Sequence, residues 1–197
     1  MYLLLIDTSS CFIKIIIANI KNQILIVSSN NQRNQHIEDL CFFITRTLLK
    51  LKITLQDVQY IIVLNYPGSY TSIRLAISFA NTARLVFGTL ISSVTKFDVL
   101  SYQTFKKRPY GIVVQNKLNQ YVIRIFNDIQ YTRCHVMNSQ QILKYKERLH
   151  LIGDADFLEK KLLMQNQCFV EYVTNILFSR SFKRDNTYLK TFNETLL

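Results

Sequence analysis

A short polar segment follows the first apolar run of the chain and carries residue types that can bind an anion. Asp7-Thr8-Ser9-Ser10 comes directly after Tyr2–Ile6. Backbone N–H groups in a tight turn form an anion-binding concavity, and an acid beside it can hold Mg²⁺ through water. Asp7, Thr8 and Ser9 are therefore candidate phosphate-binding residues. The competing interpretation is a turn whose Asp and Ser side chains bond their own backbone.

A second segment joins the apolar run Tyr60–Leu64 to a predicted helix over 72–87, and it consists of Pro67, Gly68, Ser69, Tyr70 and Thr71. Gly68 can supply a positive φ for a turn, and Thr71 or Ser72 can cap the helix. Arg74 would lie in the first helical turn, where a cation opposes the helix dipole by about 0.3–1 kcal/mol. We expect a compensating ion pair to Asp7, because neighbouring strand ends come together, or to an acidic group on a partner.

The histidine spacing argues against a metal centre. His36, His135 and His150 are far apart, so no helix face can present two imidazoles to one metal ion. The sequence has no Walker loop, no Gly-x-Ser-x-Gly elbow and no Cys–His signature. We therefore expect no catalytic residue, no metal and no cofactor, and interpret the chain as a non-enzyme.

Composition and charge indicate a globular protein with a basic surface. The 197 residues carry a formal net charge of +11, which favours contact with nucleic acid or an acidic protein; a local cluster is Lys106–Arg108. The alternative is that A+T-rich codons oversupply lysine. The four cysteines (Cys11, Cys41, Cys134 and Cys168) form no Cys-x-x-Cys pair, and the apolar N-terminus reaches Asp7 at once. We expect a cytoplasmic protein without a membrane span.

Hydrophobic periodicity predicts an α/β chain with two lobes, over residues 1–104 and 105–197. Residues 1–90 show the order β-β-β-α-(short α)-β-α, with Thr54 and Asp57 forming a capping box. A similar but shorter order follows in the second half. The predicted elements are strands 2–6, 12–18, 24–27, 60–64, 110–114, 120–126 and 129–136, and helices 36–50, 72–87, 95–102, 140–148 and 154–165.

The two long helices of the first lobe are apolar on more than one face. In the first, Phe42 and Leu49 fall opposite the core stripe, and in the second, Leu75, Leu85 and Val86 lie away from the buried face. The second apolar face of each helix must also be buried against other protein atoms. Either a partner protein or the second lobe could supply these atoms.

The two polar segments together resemble the TsaB family, subunits of the bacterial machinery that adds threonylcarbamoyl to adenosine in tRNA. Asn65–Ala76 is similar to that family's Gly-Pro-Gly-Ser-Phe-Thr-Gly-Leu-Arg-Ile-Gly, with Tyr70 for Phe. Tyr66, Ser72 and Ala76 stand where the family has glycine. Weaker similarities lie at Asn34–His36, Ile152–Ala155 and Tyr188–Lys190, whereas the family's Asp-Ala-Arg segment, expected near Lys117–Tyr121, is absent.

The resemblance implies an actin-like ATPase (ribonuclease H-like) fold of two βββαβα-type lobes, the second reduced. It implies a non-catalytic scaffold for a TsaD-like catalytic subunit, with a TsaE-like ATPase joining through the complex and tRNA contacted indirectly. The contact residues it implies are Phe42, Phe43, Arg46, Leu49, Arg74, Thr82, Leu85 and Val86. Homodimerisation through the same helices stays open.

Two other functions compete with this one. An actin-class ATPase or kinase would use Asp7 near Mg²⁺ and the turns at Thr8–Ser10 and Gly153 for phosphates. A free-standing RNA-binding protein would use the net positive charge. Its aromatic residues, however, lie within apolar runs rather than among basic residues, so no stacking platform is visible.

Overall fold

The structure, a computed structural model, describes residues 1–9, 12–30, 39–104, 109–117, 120–127, 133–146, 148–153, 155, 158 and 164–178. Several features singled out in the sequence lie wholly or mostly outside them. These are the basic cluster Lys106–Arg108, the predicted helix over 154–165, Asn34–His36 and Tyr188–Lys190.

The first sheet has five strands in the order β3-β2-β1-β4-β5. Strands β1 and β2 and strands β2 and β3 pair antiparallel, whereas β4 runs parallel to β1 and β5 parallel to β4. The elements of this part of the chain are β1 (Tyr2–Asp7), β2 (Ile13–Asn19), β3 (Ile24–Asn30), α1 (Asp39–Lys50), a 3-10 turn (Leu55–Asp57), β4 (Val58–Tyr66), α2 (Tyr70–Phe87) and β5 (Leu90–Thr95).

The core of this unit explains why its strands read as continuous apolar runs. Alternate side chains of β1, β2 and β4 pack with the buried faces of both α1 and α2, so the two helices cover the same side of the sheet. Leu3, Leu5 and Ile62, which point to the opposite side, are equally buried. Helix α1 contacts β2, and α2 contacts β1, β4 and β5, so the helices lie side by side.

Two local predictions of the first unit are confirmed. Thr54 and Asp57 form the predicted capping box, in which Thr54 N–H donates to Asp57 Oδ2 at 2.8 Å, and Thr54 Oγ1 also donates to that oxygen at 2.9 Å. Helix α2 ends at Gly88, whose φ of 70° is left-handed. Strand β5 is absent from the prediction, because its sequence Leu-Ile-Ser-Ser-Val-Thr places two serines within a short run.

The second sheet repeats the strand arrangement of the first in smaller form. Its order is β8-β7-β6-β9, with antiparallel pairs β6–β7 and β7–β8 and a parallel pair β6–β9. Its elements are α3 (Lys96–Thr104), β6 (Tyr110–Lys117), β7 (Gln120–Phe126), β8 (His135–Met137), α4 (Ser139–Leu143) and β9 (His150–Gly153), and α5 (Asn166–Phe178) follows. The traced βββαβ order of the second half is thus present.

The contacts divide the chain differently from the predicted lobes 1–104 and 105–197. One compact unit contains residues 1–95 together with α5, and the other contains residues 96–165. Helix α3 contacts β6 of the second sheet. Helix α5, which the sequence patterns do not predict, returns to the first unit, where Gln167 Nε2 donates to the carbonyl oxygen of Asn22 at 3.2 Å.

Candidate functional site

The turn after β1 bonds its own polar groups. Asp7 Oδ1 accepts hydrogen bonds from the backbone N–H of Ser9 at 2.9 Å and from Ser9 Oγ at 2.6 Å. Asp7 and Thr8 are both buried. The turn therefore bonds its own backbone and side chains, which is the alternative to a phosphate-binding site. Ser10, the last residue of the predicted phosphate-binding segment, lies outside the described residues.

The second predicted segment packs directly on this turn. Ser69 N–H donates to the carbonyl oxygen of Ser9 at 3.3 Å, and Thr8 Oγ1 donates to the carbonyl oxygen of Ser72 at 3.0 Å. A β-carbon on Gly68 would lie 2.6 Å from Ser9 Cβ, and closer still to the Ser9 backbone. We call residues 7–9 and 67–72 together the strand–helix corner.

Gly68 fits at the strand–helix corner because it has no side chain. The sequence favours a positive φ at Gly68, but the positive-φ glycines of the described residues are Gly88 and Gly153. The expectation is therefore wrong, and the reason for glycine is close backbone approach to Ser9. The Tyr66–Pro67 peptide is cis, and Pro67 is buried.

The start of α2 also differs from the prediction. The helix begins at Tyr70, so that Ser69 rather than Thr71 or Ser72 occupies the N-cap position. Ser69 makes no side-chain cap, but its carbonyl oxygen accepts the first helical bond, from Ile73 N–H at 3.0 Å. Ser72 Oγ instead donates to Ser69 Oγ at 3.1 Å. Thr71 is exposed and lies within the helix rather than at its cap.

Arg74 does not pair with Asp7. Arg74 is exposed in the first turn of α2, with its Cζ 5.2 Å from the centre of the Tyr70 ring. Its Nη1 donates to the Tyr70 hydroxyl at 3.4 Å. The predicted ion pair to Asp7 is wrong, because Asp7 is buried and bonds Ser9. The alternative, that Arg74 pairs with an acidic group on a partner, stays a prediction.

Helices α1 and α2 expose large apolar side chains on their outer sides. Phe42 is 67% exposed, Leu49 63%, Leu85 68% and Val86 64%. Arg46 and Thr82 are exposed beside them. We call these six residues, with Lys50 and Arg74, the α1–α2 face. The predicted contact residue Phe43 is an exception, because its partly buried ring packs against the core cluster instead.

The second unit contains an ion pair, absent from the sequence predictions, whose arginine is buried and whose aspartate is partly exposed. Arg124 Nη1 lies 3.4 Å from Asp98 Oδ1, and Arg124 Cζ lies 5.3 Å from the centre of the Phe97 ring. Burial raises the pKa of the nearby Cys134 thiol, while the Arg124 cation opposes that rise. A usable signal was present, since Arg124 is the single charged residue in the apolar strand β7.

The other candidate residues for chemistry that the structure describes lie apart from one another. Within the described residues, no group of three or more His, Cys, Asp and Glu could hold a metal ion. His135 and His150 are exposed on β8 and β9, and His36 lies outside the described part. Gly153, the candidate for a second phosphate loop, ends β9 with its α-carbon against the backbone of Val113.

The family model for TsaD, tRNA N6-adenosine threonylcarbamoyltransferase, matches residues 23–178. The chain belongs to the TsaD family. A relative from Buchnera aphidicola, the tRNA threonylcarbamoyladenosine biosynthesis protein TsaB, is 27% identical over 121 residues. That match spans 60% of this chain and 57% of the relative. The resemblance to TsaB stated from the two polar segments is thus confirmed.

Two solved structures from Pseudomonas aeruginosa share the fold of this TsaD-family chain. YeaZ has a TM-score of 0.65 at 13% identity, covering 95% of this chain and 99% of the other. A protein described as similar to the peptidase YeaZ has a TM-score of 0.66 at 12% identity, covering 96% and 98%. The predicted α/β, actin-like fold is confirmed. None of the described helices is long and apolar enough to cross a membrane.

Proposed function

We propose that this chain is a non-catalytic subunit in tRNA N6-threonylcarbamoyladenosine biosynthesis, and that it binds and supports a TsaD-type catalytic subunit in the cytoplasm. Membership of the TsaD family and similarity to TsaB support the pathway. A TsaE-type ATPase would join through the resulting complex, and tRNA would be contacted indirectly.

One observation carries the partner-binding part of the proposal. Phe42, Leu49, Leu85 and Val86 are each more than 60% exposed on two helices that lie side by side over one sheet. Large apolar side chains exposed on neighbouring helices are candidates for covering by a partner protein, and a partner helix could lie along them. The α1–α2 face is therefore the proposed docking surface for the catalytic subunit.

The strand–helix corner supports the part of the proposal that the chain is non-catalytic. The Asp7 carboxylate and the Ser9 N–H, the groups that would serve Mg²⁺ and phosphate, bond each other. The Ser9 carbonyl accepts from Ser69, and the α-carbon of Gly68 fills the space beside Ser9. In this proposal the corner fixes the start of α2, and so the direction in which the docking helix runs.

Titration calorimetry with the TsaD-type subunit of the same genome tests the proposal. Phe42→Asp and Leu85→Asp each place a charge in the centre of the buried contact, and we expect each to weaken binding by at least about 30-fold. The matched control is Val136→Asp, since Val136 is 59% exposed on β8 of the second sheet. It should bind like the wild type.

Two results would overturn the proposal. One is unchanged affinity of both helix variants while circular dichroism shows them folded. The other is transfer of threonylcarbamoyl to tRNA by this chain alone, without any catalytic subunit present.

A further inference from the structure

A row of apolar side chains crosses the first sheet on the side opposite to helices α1 and α2. Strand pairing aligns Ile62 of β4, Leu5 of β1, Ile16 of β2 and Val27 of β3, so all four point to the same side. The first three are at most 1% exposed, whereas Val27 is 41% exposed. The cover of this side of the sheet therefore ends before β3.

Strand β3 is an edge of the sheet, because among the described strands it pairs with β2 alone. Its sequence Ile-Leu-Ile-Val-Ser-Ser-Asn contains neither a charge nor a proline, the residues that commonly keep an edge strand from pairing with another chain. Leu25, two residues before Val27, is 40% exposed. The other edge strand, β5, is also uncharged, but none of its side chains is exposed. Strand β3 is thus the edge that lacks a cover.

Helix α5 brings the chain to the side of the sheet on which Val27 lies. Its Phe169, Val170 and Val173 are buried in the first unit, yet they lie outside the core cluster that α1 and α2 share. Helix α5 therefore packs on the opposite side from α1 and α2. The hydrogen bond from Gln167 to the carbonyl oxygen of Asn22 places the first turn of α5 beside the turn that leads into β3.

The segment that follows α5 is long enough to reach β3. Helix α5 has 13 residues and is about 20 Å long, and Val27 lies about 17 Å along the strand from Asn22, so the end of α5 lies within about 40 Å of Val27. Residues 179–197, which lie outside the described residues, span up to about 60 Å when extended. The apolar and aromatic residues of this segment are Phe182, Tyr188, Leu189, Phe192, Leu196 and Leu197.

We propose that residues 179–197 dock against the edge of the first sheet on the α5 side and cover Val27 and Leu25. A segment tethered to α5 meets this surface at an effective concentration of about 1 mM, whereas a second copy of the chain or another protein must compete at its own, lower concentration. The docked segment would then keep β3 from pairing with other chains. This inference is independent of the proposed function, because it requires no partner.

Alkylation of an introduced thiol tests the docking in the full-length chain, with the rate at each residue read by peptide mass spectrometry. We expect the thiol of Val27→Cys to react at least about 5-fold faster once Leu189, Phe192 and Leu196 are all replaced by serine, since it reacts only while the segment is undocked. Val136→Cys is the control thiol, because Val136 is exposed on β8 of the second sheet. Its rate should be the same with and without the three serines.

A second control changes the same segment without removing its apolar side chains. Thr191→Ser with Asn193→Ser should leave the Val27→Cys thiol as slow as in the chain with the natural segment. Hydrogen exchange checks the docking without a cysteine. Amides of β3 should exchange at least about 5-fold faster in the triple-serine chain than in the wild type, whereas those of β5 should exchange equally in both.

The concentration dependence distinguishes the segment from other occupants. Docking within one chain predicts the same alkylation rate at about 1 and 50 μM protein. Protection of the Val27→Cys thiol that grows with concentration would mean that a second copy covers β3, and it would overturn the proposal. Protection that appears only when a TsaD-type subunit is added, or a rate that the three serines leave unchanged, would overturn it as well.

Discussion

Gly68 lies against Ser9 with no room for a side chain between them. A β-carbon on Gly68 would come 2.6 Å from Ser9 Cβ and still closer to the Ser9 backbone. The contact joins the turn after β1 to the turn before α2, two segments that are far apart in sequence. The position of α2 on the sheet is thus coupled to the end of β1.

Gly68→Ala tests this coupling. The new methyl group meets backbone atoms that cannot rotate away, so we expect a loss of about 3 kcal/mol in the free energy of unfolding, measured in urea. The variant should also bind the proposed TsaD-type partner more weakly, because α2 must shift.

Gly88→Ala is the control for Gly68→Ala. Gly88 has a φ of 70°, and a β-carbon added there would have no atom within 4 Å, so alanine meets strain without collision. We expect a loss of about 1–2 kcal/mol with partner affinity unchanged. Equal effects of the two substitutions on both measurements would contradict the coupling.

Asp7→Ala and Asp7→Asn separate a structural role of this side chain from a nucleotide-binding one. Asparagine keeps an oxygen that can accept from Ser9 N–H and Oγ, whereas alanine removes it. We expect Asp7→Ala to cost about 2–3 kcal/mol of stability and Asp7→Asn less than about 1 kcal/mol. Calorimetry with Mg-ATP checks the other role. Tight binding by the wild type that Asp7→Asn abolishes would show that the carboxylate serves the nucleotide.

The sequence predicts well where the local pattern determines the structure. The capping box at Thr54 and the end of α2 at Gly88 depend on a few neighbouring residues, and both are confirmed. The outward positions of Phe42 and Leu49 follow from the helical period alone. Strands β1 and β4 are continuous apolar runs that only a sheet covered on both sides explains.

The sequence predicts the structure poorly where contacts between residues distant in the chain determine it. The close approach of Gly68 to Ser9 carries no local signal, so the turn pattern favours a positive φ that the glycine does not adopt. The pairing of Arg74 with Asp7 fails for a similar reason, since Asp7 has a nearer donor in Ser9. Helix α5 belongs to the first unit although it follows the whole second sheet, and periodicity does not reveal such a return.

A double-mutant cycle measures what the Arg124–Asp98 pair contributes to the second unit. The Arg124 side chain is 9% exposed and that of Asp98 is 29% exposed, so the arginine loses more hydration on folding. We expect Asp98→Leu to cost about 2–4 kcal/mol, because it leaves the arginine buried without its carboxylate. Arg124→Met should cost less, since Asp98 keeps partial access to water.

The double variant should be closer to wild type than the sum of the two single variants, by about 1–2 kcal/mol. Lys144→Met, which alters an exposed cation of the same unit, should change stability by less than about 0.5 kcal/mol. Strict additivity of the two single effects would mean that the pair makes no net contribution to folding.

Cys134 should make stability decrease at alkaline pH. Burial raises the pKa of its thiol above 9.0, against the opposing effect of the Arg124 cation. The folded chain therefore keeps this proton at pH values where the unfolded chain loses it, so the stabilisation is complete below about pH 9 and is lost as pH rises through the raised value. The free energy of unfolding should thus fall more steeply above about pH 9 in the wild type than in Cys134→Ala. Removing the cation with Arg124→Met should raise the thiol pKa further, so alkylation of this thiol should require a higher pH than in the wild type.

Cys41→Ala, at an exposed position on α1, is the control for the stability profile. An identical pH profile for wild type and Cys134→Ala would show that the Cys134 thiol has no such effect.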